Sequence, residues 1–118
     1  MIRWAAVRLA AAFRSVRAWL SQQPERRWEL ERGDELPDTP RDRIVYVVGE
    51  EGIDYYAAMR CPCGCGDILQ LSLLPEGRPR WRVYEDRSGI ASLSPSVNRT
   101  IGCRSHFYLR DGRIEWYR

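Results

Sequence analysis

The chain has 118 residues, a net charge of +3 and 44% hydrophobic residues. This length allows one domain with a tail and only a modest core. Arg3, Arg8, Arg14 and Arg17 precede the first acidic residue, Glu25, and the remainder of the chain is close to neutral. That distribution argues against a basic nucleic-acid groove on the main domain, so we expect no nucleic-acid partner.

The first 24 residues are predicted to form a basic amphipathic helix that ends at Pro24. At 100° per residue, five apolar side chains fall within about a 60° arc: Ile2, Leu9, Phe13, Val16 and Leu20. Arginines interrupt the apolar run, so we expect neither a membrane span nor a secretory signal, and a cytoplasmic protein. We expect the helix to pack on the domain or to join two copies, and we disfavour the alternative of contact with an anionic membrane.

Residues 25–42 are predicted to be a charged linker with a short helical turn around Trp28 and Leu30, and residues 43–118 a β domain. The dipeptide Asp111-Gly112 indicates a hairpin in that domain. The fold class is therefore α+β and mainly antiparallel β. Runs of β-branched and aromatic residues predict seven strands: 44–48, 55–59, 68–73, 81–84, 90–93, 106–109 and 114–117.

Three of the four cysteines, Cys61, Cys63 and Cys65, lie within five residues, and Cys103 follows much later. Cysteines two residues apart are poorly placed to form disulfides with one another, whereas several thiolates can converge on one metal ion. In an extended strand, side chains two residues apart stand about 7 Å from each other, so the backbone must curl to bring the sulfurs together. The sequence therefore predicts a structural zinc ion that cross-links and stabilises the β domain.

The sequence offers two candidates for the fourth zinc ligand, Cys103 and His106, because their spacing is typical of zinc ligands. Four cysteines would form a closed site without an open coordination position, and this is the set we favour. Three cysteines with His106 is the alternative. In a third interpretation, Cys103 is not a metal ligand but a thiol nucleophile, and His106 is its base.

Four motifs occur in order: Cys61-Pro-Cys-Gly-Cys-Gly, Ser92-Leu-Ser-Pro-Ser-Val, Cys103-Arg-Ser-His-Phe-Tyr-Leu and Gly112-Arg-Ile-Glu-Trp. Over residues 43–118 this order resembles a family of small bacterial zinc-binding proteins formerly of unknown function. Its members occur in operons with ubiquitin-like proteins and relatives of ubiquitin-activating and ubiquitin-conjugating enzymes. The resemblance implies these proteins as partners, and a role in processing, removing or docking a ubiquitin-like modifier. Residues 98–102 depart from the family pattern, and Tyr108 replaces a usual Trp.

A histidine that is free of the metal could act as a base near neutral pH, with a nearby serine as nucleophile. We predict His106 as the base and Ser96 as the nucleophile, with Ser105 and Ser94 as weaker candidates. An aspartate could orient the histidine, and the sequence offers three: Asp67, Asp86 and Asp111. The predicted function is a serine peptidase of a ubiquitin-like pathway. The alternative is a non-catalytic module that docks the modifier or its conjugating enzyme, with Trp81, Trp116 and Tyr117 as contact residues.

Overall fold

The computed structural model describes residues 26–117, and these residues form nine β-strands and no helix. The predicted amphipathic helix lies outside the described residues. Within them, no helix is long and apolar enough to cross a membrane. The prediction of a mainly antiparallel β domain is confirmed, and among the strands of residues 26–117 only β1 and β2 pair in parallel.

The first sheet has four strands in the order β1-β2-β3-β4. Strand β2 is buried over five consecutive residues, as expected for an apolar strand covered on both faces. It pairs in parallel with β1 on one side and antiparallel with β3 on the other. The strand bounds are β1, Glu29–Gly33; β2, Ile44–Glu50; β3, Ile53–Arg60; and β4, Ile68–Ser72.

The other strands form a hairpin, β5-β6, and a three-stranded sheet, β7-β8-β9. Strand β6 lies beside β8, although no ladder joins these two strands within the described part of the chain. The two-residue turn at Asp111 and Gly112 connects β8 to β9, as the sequence predicts. The strand bounds are β5, Arg82–Glu85; β6, Ala91–Ser94; β7, Val97–Asn98; β8, His106–Arg110; and β9, Arg113–Trp116.

All seven predicted strands are confirmed within a few residues, but the predicted helical turn around Trp28 and Leu30 is wrong. Leu30 lies in strand β1, and both side chains are buried in the core. The Trp28 amide donates to the Gly112 carbonyl at 2.8 Å, and the Trp28 carbonyl accepts from the Ala91 amide at 3.0 Å. Hydrogen bonds to neighbouring strands satisfy the backbone polar groups of this segment. This gain outweighs the charged composition of the segment, which suggested a linker.

The core brings the three sheets together through apolar side chains from strands that are distant in sequence. Phe107 of β8 is fully buried, and its ring meets the Trp116 ring edge-on at 5.8 Å between centroids. Met59 and Cys61 continue the core to the end of β3. The core therefore reaches the cysteine-rich turn and fixes the strand that carries His106.

Candidate active site and metal centre

The cysteine-rich turn begins where β3 ends. Cys61 is buried, its amide donates to the Asp67 carbonyl at 2.8 Å, and its carbonyl accepts from the Gly64 amide at 3.1 Å. Gly64 and Gly66 have φ values of +88° and +89°, in a region that side chains other than glycine rarely adopt. The two glycines thus allow the sharp curl that brings alternate cysteines to the same side.

The four sulfur atoms of Cys61, Cys63, Cys65 and Cys103 lie within 4.8 Å of one another. Cys61 Sγ lies 3.4 Å from Cys63 Sγ and 3.6 Å from Cys103 Sγ, distances too long for disulfide bonds. Tetrahedral zinc with bonds of ~2.3 Å holds its sulfur ligands about 3.8 Å apart. The four cysteines are therefore placed to hold a metal ion, and their donor set and spacing fit zinc.

Two side chains, Arg99 and Ser105, donate hydrogen bonds that stabilise negative charge on this cluster. Arg99 Nη1 donates to Cys103 Sγ at 3.0 Å and to Cys65 Sγ at 3.5 Å, and its Nη2 donates to Asp67 Oδ2 at 2.8 Å. The Ser105 hydroxyl lies 3.1 Å from Cys103 Sγ, and its hydrogen bond lowers the pKa of Cys103 to about 6. Thiolate, the form that binds metal, is thus favoured at Cys103.

Cys61 differs from the exposed cysteines because it is part of the core. Desolvation by burial raises the pKa of the Cys61 thiol to about 12, since a buried charge loses its hydration. The pKa of Cys63 is lowered, chiefly by its hydrogen bond with the Cys61 thiol. A bound cation would compensate the charge that burial disfavours at Cys61.

Ser96 and His106 are in hydrogen-bond contact, with 2.9 Å between Ser96 Oγ and His106 Nε2. Strand β7 begins directly after Ser96 and pairs with β8 in the register Val97↔Phe107 and Asn98↔His106. The Ser96 carbonyl also accepts a hydrogen bond from Trp81 Nε1 at 3.3 Å. Both the short ladder and the tryptophan therefore hold the serine beside the histidine.

Aromatic rings cover the histidine. The Tyr117 ring centroid lies 4.3 Å from that of His106, and the Tyr108 ring stacks at 6.0 Å. Among residues 26–117, no carboxylate hydrogen-bonds to His106. Two of the candidate aspartates are engaged elsewhere, because Asp67 accepts from Arg99 and Asp86 accepts from the Ser88 and Ile90 amides.

The predicted candidates separate into two neighbouring groups in the structure. Ser96 and His106 form one pair, whereas Ser105 and Cys103 contact each other at the cysteine cluster. His106 is absent from the potential metal ligands, although it lies one residue from Ser105. Ser105 directly precedes β8, and successive residues of an extended chain point to opposite faces, which accounts for the contact of Ser105 with Cys103 and of His106 with Ser96.

Sequence reasoning missed Arg99, Trp81 and Tyr117 as neighbours of the site. Arg99 carried no distinguishing signal, since all basic residues of the chain are arginines. Trp81 and Tyr117 were considered as contact residues of a docking surface. Their contacts with Ser96 and His106 depend on the packing of distant strands, which no local motif reveals.

A groove of 460 Å³ opens at Ser96, between strands β6 and β8. Ser92 and Ser94 line one wall, and Tyr108 and Arg110 line the other. His106 does not line it. A larger cavity of 560 Å³ lies behind the cysteine turn against Trp28 and Trp116, and neither Ser96 nor His106 contributes to it.

The structure thus places a serine hydroxyl in hydrogen-bond contact with a histidine, next to a groove that the serine lines. The family described as bacterial ubiquitination-like system serine protease (BubE) matches residues 32–117, and the chain belongs to this family. It is therefore a component of such a bacterial system. No curated protein and no solved structure matches the chain.

Proposed function

We propose that this protein is a serine peptidase that cleaves at the C-terminal tail of a ubiquitin-like modifier. The contact between Ser96 Oγ and His106 Nε2 carries the proposal, because a nucleophile needs a base within hydrogen-bond reach. The family to which the chain belongs supports the choice of peptide bonds as substrate. The modifier and its conjugating enzymes are then its partners in the cytoplasm, where thiols stay reduced.

In the proposed reaction, His106 Nε2 takes the proton of Ser96 as Oγ attacks the scissile carbonyl carbon. The C–N bond then breaks, and the imidazolium gives this proton to the departing amine. Water, deprotonated by the same imidazole, cleaves the acyl-serine ester and returns the hydroxyl to Ser96. The Tyr117 ring, tilted against His106 with 4.3 Å between the ring centroids, limits the rotation of the imidazole away from the serine.

We further propose that Cys61, Cys63, Cys65 and Cys103 hold a structural zinc ion. A bound zinc ion would supply charge compensation for the thiolates and a cross-link between β3 and the segment before β8. Four protein thiolates leave no open coordination position, so the chemistry stays with Ser96 and His106. This cross-link supports the catalytic pair because Cys103 precedes His106 by only three residues.

A fluorophosphonate probe tests the serine without knowledge of the natural substrate. Ser96 Oγ should form a bond to phosphorus as fluoride leaves, and mass spectrometry of the intact protein and its peptides should place the adduct on Ser96. Ser96→Ala and His106→Ala should lose labelling, whereas Ser105→Ala should keep it. Unlabelled wild-type protein, or labelling that survives Ser96→Ala, would refute the proposal.

The alternative is a non-catalytic module that docks the modifier or its conjugating enzyme. The exposure of Trp116 (44%) and Tyr117 (60%) favours it, since aromatic side chains are enriched at interfaces. Incubation with a ubiquitin-like precursor separates the two functions. A peptidase releases the tail, and its His106→Ala variant does not. A docking module binds the precursor without cleaving it, both as the wild type and as His106→Ala.

A further inference from the structure

We propose that the groove beside Ser96 binds the acyl part of the substrate and selects an acidic residue there, with the Arg110 guanidinium as the group that recognises it. This inference rests on the proposed peptidase function and deepens it. The acidic residue is the second or third before the scissile bond. The substrate class is therefore a polypeptide that carries a carboxylate side chain close to its cleavage site.

The groove is a depression on the outer face of two strands that are direct neighbours. Strand β6 lies beside β8, and Ala91 at the start of β6 is hydrogen-bonded to the Trp28 carbonyl and the Gly112 amide. Leu93 and Leu109 line the depression and are both buried, so they form its floor. A bound chain therefore lies over this floor, and side chains rather than open strand edges recognise it.

The walls of the groove are the side chains that alternate with these two leucines and project away from the core. On β6 they are Ser92 and Ser94, and on β8 they are Tyr108 and Arg110. Tyr84 of β5, which is exposed, completes the lining. Among the described residues that line the groove, only Arg110 is charged. The groove thus offers one positive charge among hydroxyl donors, a combination that suits a carboxylate.

The Arg110 guanidinium is already held at the groove. Its Cζ atom lies 4.3 Å from the centroid of the Tyr108 ring, and its Nη1 donates to Glu115 Oε1 at 3.2 Å. Both partners of this ion pair are exposed, so the pair itself contributes little stability. Within residues 26–117 it engages one of the five N–H donors of the guanidinium. The other donors are available to a substrate carboxylate.

The position of His106 determines which part of the substrate the groove holds. The base must protonate the leaving amine, so the leaving part of the substrate has to lie beside His106 Nε2. Ser96 lines the groove, whereas His106 does not. The groove therefore extends from Ser96 away from the leaving amine, and it receives the acyl part.

The register of β7 and β8 gives the place of the acidic residue along the substrate. Val97 pairs with Phe107, so the next position of the ladder brings Tyr108 opposite Ser96. Arg110 is two residues further along β8, and an extended chain advances about 3.3 Å per residue. The Cα atom of Arg110 is thus about two substrate residues beyond the nucleophile. Because its guanidinium lies over the Tyr108 ring, it meets the second or third residue.

Peptidyl diphenyl phosphonates test this inference. Each probe forms an Oγ–phosphorus bond with Ser96 while phenoxide leaves, and its peptide occupies the acyl side. Glutamate or glutamine is placed at the second or third residue of an otherwise alanine peptide, counted from the residue that bears the phosphonate. At one of these positions the glutamate probe should react about tenfold faster than the glutamine probe, because charge-assisted hydrogen bonds are the stronger ones. High salt should reduce this preference.

Variants of Arg110 show whether the preference comes from the guanidinium. In Arg110→Met the preference should disappear, so that the glutamate and glutamine probes react equally fast. In Arg110→Glu the preference should reverse, so that a lysine probe reacts faster than the glutamate probe. Arg87→Met is the matched control, because Arg87 is exposed in the β5-β6 turn and does not line the groove. This control should keep the preference of the wild type.

Fluorophosphonate labelling separates a failure of the groove from a failure of the catalytic pair. Three results would overturn the groove assignment while fluorophosphonate still labels Ser96. They are equal rates for glutamate and glutamine probes in the wild type, a preference that survives Arg110→Met, and no reaction with any peptidyl probe. Loss of both kinds of labelling in the wild type would instead refute the peptidase itself.

Discussion

Arg99 donates a hydrogen bond from Nη2 to Asp67 Oδ2 at 2.8 Å, although the two residues are far apart in sequence. Asp67 directly follows the cysteine-rich turn, and Arg99 directly follows the short strand β7. The same guanidinium donates to Cys103 Sγ, and only 12% of the Arg99 side chain is exposed. Arg99 thereby connects the cysteine cluster to the segment that positions Ser96.

Arg99→Met is expected to weaken metal binding. The substitution keeps much of the side-chain volume but removes the donors and the positive charge beside the thiolates, and such partners of metal ligands typically change affinity by about 10- to 100-fold. Release of zinc to a chromogenic chelator should be faster in this variant by about that factor.

Arg87→Met is the matched control, because Arg87 is exposed in the β5-β6 turn. Its zinc release should equal that of the wild type. Equal release rates in the Arg99 and Arg87 variants would show that the guanidinium contributes nothing to the metal centre.

Removal of the metal is expected to destabilise the described domain. Without a cation, the sulfur atoms repel one another when ionised, and the link between the turn after β3 and Cys103 is lost. A loss of about 3 kcal/mol in the free energy of unfolding would lower Tm by about 12–24 °C for a domain of this size. Thermal unfolding followed by circular dichroism, with and without a zinc chelator, measures the shift.

Cys63→Ser provides the control for that experiment, since it removes one ligand at an exposed position. Metal analysis should find less bound zinc in this variant, and the chelator should shift its Tm only slightly. A wild-type Tm that is insensitive to chelator would contradict a stabilising metal.

Phe107→Ala is expected to cost about 3–5 kcal/mol in the free energy of unfolding, because it leaves a large cavity in a close-packed core. Phe107 has no exposed surface. It pairs with Val97 in the β7-β8 ladder, so it is the chain neighbour of His106 and lies opposite the chain neighbour of Ser96. Urea denaturation measures the cost. Tyr117→Ala, at an exposed position, should cost far less, and similar losses in both variants would be inconsistent with the packing described.

Gly112→Ala is expected to be more destabilising than Gly52→Ala. Both glycines have positive φ, so each substitution carries a conformational cost of about 1–2 kcal/mol. A Cβ at Gly52 would meet open space, whereas a Cβ at Gly112 would lie 2.8 Å from Ile90 Cγ2 and 3.0 Å from the Trp28 carbonyl oxygen. Urea denaturation of the two variants should show the difference, and equal costs would rule out the crowding.

Local patterns predicted the strands well, since apolar alternation and the Asp111-Gly112 turn act over short distances. Strand β1 escaped prediction because only Leu30 among its five residues is buried, which leaves a charged sequence typical of a linker. Strand β7 has two residues, too few for any periodicity. The division of the chain at residues 24 and 42 stays a prediction.

The candidate site was predictable as far as sequence motifs reach. Clustered cysteines indicated a metal centre, and the four sulfur atoms do converge. The pairing of Ser96 with His106 was one of several alternatives, because the sequence could not show which face of β8 meets the segment before β7. The register of that ladder decides it, and register depends on packing that local sequence does not encode.

The hydrogen bonds of Trp28 have a practical consequence for anyone who shortens this protein. The family match begins at residue 32, yet the Trp28 main chain bonds to Ala91 and Gly112, and its indole is buried in the core. A chain that starts at the matched boundary would lack Trp28 and therefore its hydrogen bonds to the β5-β6 and β8-β9 hairpins. The loss of the buried indole would also leave a cavity in the core. Expression designs should therefore start upstream of this tryptophan, at Arg26 or earlier.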